Sequence, residues 1–149
     1  MNKYLNDHHI TDKIIKSIWV NSDKISNYIK TNYTADFCLI EKDRKIINCL
    51  EYENSSRGFV SHVCKYIHLA RDNPSYGFSI TIIGSMHHKK THLTDSIKAE
   101  ATYDCCSLDN IFINFIYDDG TGSVVYEQMN NLLDKIDFLL HNNHIETNH

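Results

Sequence analysis

The 149-residue chain holds a single proline, Pro74, with five glycines and one tryptophan. So little proline and glycine excludes a collagenous or Pro/Gly-rich disordered chain. No apolar run approaches the roughly 20 residues that a membrane-spanning helix requires. The opening stretch MNKYLNDHHITDK lacks the continuous apolar segment of a secretory signal. There is no C-x-x-C pair. The five cysteines, Cys38, Cys49, Cys64, Cys105 and Cys106, are odd in number and scattered, unlike a secreted disulfide framework. Reduced thiols and a cytoplasmic location are expected, and the sequons at Asn32 and Asn54 then carry no meaning.

Basic residues are scarce in the last third. Residues 1–50 carry eight basic and six acidic side chains, and residues 51–100 carry six and five. Residues 101–149 carry Lys135 alone against eight acids. That end repels a phosphate backbone, so no nucleic-acid partner is expected. It is suited to steering a basic protein, through Asp118, Asp119, Glu127, Asp134 and Asp137.

What is present is ordinary for a folded domain: 42% hydrophobic and 23% charged residues. One domain over 1–149 is expected, with an ordered core of about 10–140 between frayed ends. Ile10, Ile14, Ile18, Ile25 and Ile29 follow a helical stripe over 10–31. Residues 35–41 and 46–52 read as strands joined by the charged turn Lys42 to Lys45. Phe59, Val63, Cys64, Ile67 and Ala70 mark a helix over 56–71 that places Cys64 inward, and Pro74 stops it. Tyr76 to Ile83 reads as a strand. The alternation of Ile97, Ala99, Ala101 and Tyr103 against polar residues predicts another over 93–103. Ile111 to Tyr117 is apolar on both faces, as a central strand would be, and 123–140 returns to a helical period. The expected order is α-β-β-α-β-β-β-α. This is an α+β fold with a five-stranded, largely antiparallel sheet and helices packed on it.

Chemical motifs are thin. Asp118 to Ser123 reads as a turn and helix cap; it lacks the lysine of a phosphate loop and the third glycine of a dinucleotide fingerprint. His87, His88 and His92 bracket a basic turn, but adjacent strand residues point to opposite faces, so no metal site is expected. Cys64 and His68, four apart on one helix, make a nucleophile pair conceivable, yet an inward thiol is inert. The carboxylates follow polar faces, with no pair forced into an apolar pocket. No catalytic residue and no cofactor is expected.

The element order, with FCLIEKDRKIINCLEYE as a first hairpin and NIFINFIYDDGTGSVVYEQMNNLLDKIDFLL as a last strand, turn and helix, resembles the Roadblock/LC7 (dynein light chain, MglB-like) family. The turn here is Asp43-Arg44, where that family has Asp-Gly. The resemblance implies a non-enzymatic homodimeric adaptor or regulator of a small Ras-like GTPase or larger scaffold. Its interface would run through Phe78, Ile80, Ile82, Ile83 and Tyr66, provided the strand over 76–83 lies at the sheet edge. Two alternatives stand beside it. One is an acidic immunity-type inhibitor of a basic toxin; the other is a GAF- or profilin-like ligand-sensing domain.

Overall fold

A computed structural model describes residues 22–53, 56–85, 93–119 and 121–147. A short 3-10 turn, Ile25–Asn27, is followed by β1 (Phe37–Glu41), β2 (Ile46–Glu53), α1 (Ser56–Asp72), β3 (Gly77–Ser85), α2 (Leu93–Asp104), β4 (Ile111–Asp118) and α3 (Ser123–Thr147). Strands β1 and β2 form an antiparallel hairpin. Its turn holds Lys45 at φ 52°, a left-handed position that costs a lysine more than a glycine. Strand β2 pairs parallel with β3, and β3 parallel with β4, so the sheet order is β1-β2-β3-β4.

Parallel neighbours need a crossover, and α1 and α2 supply the two. Both helices lie on one face of the sheet and touch each other. There Phe59, Val63, Tyr66 and Ala70 of α1 and Ala99 of α2 close over Cys49, Phe78, Ile80 and Ile113. The other face is covered in part by α3, whose Val125 and Met129 bury Phe37, Leu50 and Ile83. The result is three layers, helix on sheet on helix.

This corrects the expected fold. Among the described residues the sheet has four strands, not five, and it is mixed, not largely antiparallel. The difference comes from residues 93–103, which are helical. Ser96 and Ala99 are buried and Tyr103 packs on the same core, a spacing of three and four. Ile97, assigned to the apolar side of a strand, is 54% exposed. Ala99, Glu100, Ala101 and Lys98 are strong helix formers, and their local preference fits the period of 3.6 better than the apparent alternation of two. With that segment lifted out of the sheet, β3 lies inside it, between β2 and β4, and β4, expected to be central, lies at an edge. Residues 10–21 of the expected first helix fall outside the described residues, as do His87, His88 and His92. Over 22–31 the helical part is only the turn Ile25–Asn27. Among the described residues no helix is long and apolar enough to cross a membrane.

Gly84 of β3 faces the ring of Phe59 on α1, and a methyl group there would overlap it. Gly84→Ala should lower stability by about 1–3 kcal/mol in urea unfolding, and Phe59→Leu in the same chain should recover part of the loss.

Candidate functional site at the carboxyl end of the sheet

Strands β2, β3 and β4 run the same way, so Glu53, Ser85 and Asp118 end at one rim. Strand β1 is antiparallel to them, so its start lies at that rim too. Open α/β sheets place ligands at this end. The β1–β2 register pairs Phe37 with Leu50 and Cys38 with Cys49. One step further it sets Asp36 against Glu51, and an Asp36 carboxylate oxygen accepts the Tyr52 N–H at 2.9 Å. Strand alternation turns Glu51 and Glu53 to the same face as Ile47 and Cys49, which is the face that α1 covers.

Helix α1 meets these carboxylates with His62, Lys65 and Tyr66, three and four residues apart on one side of the helix. Glu51 is 3% exposed. Its Oε1 accepts the Tyr66 hydroxyl at 2.5 Å and the Lys65 ammonium at 3.0 Å. Its Oε2 lies 3.6 Å from His62 Nδ1, and His62 Nε2 lies 3.0 Å from Glu53 Oε2. Lys65 also donates to the Thr34 carbonyl at 2.8 Å, which ties the segment before β1 to the helix. Gly58 in the first turn of α1 makes room for Glu53, because a Cβ there would collide with its carboxyl group.

A buried carboxylate is costly unless it is paired and fully hydrogen-bonded, and Glu51 is. Burial lifts the Tyr66 phenol well above its usual range, so it remains an O–H donor to Glu51. Asp36 is lifted above its ordinary value by burial first and by the nearby Glu51 charge, against the lowering effect of the Tyr52 N–H. Two clefts flank the cluster, with Asp36 lining one and His62 and Lys65 the other. One, of about 440 Å³, runs between Ser22–Ser26 and Tyr33–Asp36. The other, of about 510 Å³, is lined by Tyr33, Ser61, His62, Cys64, Lys65 and His68.

The residues singled out from the sequence lie elsewhere or behave differently. Phe78, Ile80, Ile82, Ile83 and Tyr66 are all buried in the core, at 3% exposure or less, so they offer no surface to a second copy. The backbone of β3 is paired on both sides, and the strand-to-strand dimer expected there has no free edge. Cys64, expected in the core, is exposed. His68 pairs with Asp72 at 2.8 Å. Asp118, expected on an acidic outer face, is buried and accepts the N–H groups of Gly122 and Val124 at the start of α3. Asp119 is exposed, and its hydrogen bonds from Thr121 hold its carboxyl below the usual range. Glu127, Asp134 and Asp137 are exposed on α3.

The Asp36, Glu51, Glu53, His62 and Lys65 group was not anticipated, although one signal for it was in the sequence. In a strand whose inward residues are Ile47 and Cys49, the next inward positions are 51 and 53, both glutamates. Asp36 is likewise in phase with Cys38 and Ile40. Among the described residues no three His, Cys, Asp or Glu side chains close on one point as a metal cage would. Comparison with known proteins gives no match to any family model, any curated protein or any solved structure.

The Asp36 shift has a signed consequence. Its folded value lies above the ordinary 3.8, so the folded state takes up this proton more readily. The stability it adds is complete below the ordinary value and is lost as pH rises through the raised one. Asp36→Asn keeps an acceptor for Tyr52 and removes the charge. Denaturant unfolding should find it more stable than the wild type at pH 7, with the gap closing towards pH 3.

Proposed function

We propose that the chain captures a basic protein, in the manner of an immunity protein, on the outer side of α3. The observation that carries this reading is the composition of that face, where Glu127, Asp134 and Asp137 are exposed between exposed Tyr126 and Phe138. Aromatic anchors within a charged rim are the composition of a binding surface. Association with such a partner should slow as salt rises, and Asp134→Lys with Asp137→Lys should slow it at low salt. Association indifferent to salt and to both charge reversals would exclude it.

A further inference from the structure

We propose that Cys38 and Cys49 are a modification site: a thiol pair that hydrogen peroxide closes into a disulfide across the hairpin and that small thiols open again. The register sets the two residues directly opposite each other on β1 and β2. The backbone of Cys38 faces away from β2. Its N–H donates to Ser22 Oγ at 3.1 Å, and its carbonyl accepts the Asp23 N–H at 2.7 Å. The two cysteines are therefore a non-hydrogen-bonded pair of the antiparallel ladder, where Cα atoms stand about 4.5 Å apart and side chains come closest. A disulfide spans roughly 4.4–6.8 Å between Cα atoms, so rotation of the side chains is enough to close it. Both side chains belong to the core under α1, and the two thiols share a hydrogen bond.

The reaction balances with peroxide alone. One sulfur attacks a peroxide oxygen, the O–O bond breaks, and a water leaves behind a sulfenic acid. The facing sulfur then displaces the sulfenic oxygen as a second water, and both thiol protons end in the waters. Cys38 and Cys49 are 3% and 5% exposed, so the oxidant has to be small, and hydrogen peroxide is little larger than water. The Cys49 thiol beside it, together with burial, pushes the Cys38 thiol far above its usual range, which makes the first step slow. The Cα spacing sits at the short end of what a disulfide accepts, and a strained bond is the more easily reduced. Along the same sheet face the pair lies two register positions from Asp36 and Glu51. Closing it fixes β1 to β2 next to the carboxylate that seats α1.

The test uses the full chain with Cys64→Ser, Cys105→Ser and Cys106→Ser, which leaves Cys38 and Cys49 as the only thiols. Treated with hydrogen peroxide while folded, it should become about 2 Da lighter, and its thiol titre after denaturation should fall from two per chain to none. Trypsin cuts at Lys42, Arg44 and Lys45, between the two cysteines, and should yield two peptides joined until reduced. The oxidised chain should unfold at higher urea than the reduced one, and glutathione should return both the thiols and the lower midpoint. Adding Cys49→Ala should abolish the 2 Da loss. A folded chain that keeps both thiols, while the urea-unfolded chain loses them, would overturn the proposal and leave an inert core pair. So would a disulfide formed only between chains, or one that glutathione cannot open.

Discussion

The interaction on which this rim depends is the burial of the Glu51 carboxylate. A charge that is 3% exposed would shift its protonation or unfold its surroundings unless partners replaced the lost water. Tyr66 and Lys65 fill that role from α1, and they also fix how the helix sits on the sheet. The Lys65 bond to Thr34 then anchors the segment that carries Tyr33 and Asp36. One buried carboxylate thereby couples the helix, the hairpin and the loop before it. Apolar residues of similar volume would stabilise the same packing at least as well.

Topology puts that network at the rim. Two parallel crossovers bring three strand ends together, and the antiparallel β1 brings its beginning to the same place. At the same rim Asp118 is committed to the first turn of α3. The carboxylates therefore divide into one that closes a helix, two, Glu51 and Glu53, that anchor α1, and Asp36, which lines a cleft. Sequence distance says little about this division. Asp36 and Glu51 are fifteen residues apart and opposed across a ladder, whereas Asp118 and Asp119 are adjacent and one is buried while the other is exposed.

Much of the fold was legible locally. The hairpin, α1, β3, β4 and α3 have periods and stop signals strong enough to mark them. The segment 93–103 was not legible, because small residues such as Ser96, Ala99 and Ala101 fit either period. That single ambiguity reversed the positions of β3 and β4 and removed the free edge on which a dimer would have been built. The site was half legible. The inward phase of Glu51 and Glu53 follows from Ile47 and Cys49. That Lys65 and His62 would stand over them required knowing which face α1 covers.

By itself the sequence determined where most elements begin and end and which of their residues turn inward, because periodicity, caps and breakers act over a few residues. Only the tertiary structure decided which strands are neighbours and in which direction they run. Those pairings join segments dozens of residues apart, and nothing in a local pattern encodes them. The meeting of Asp36, Glu51 and Lys65 at one rim belongs to that second kind of fact.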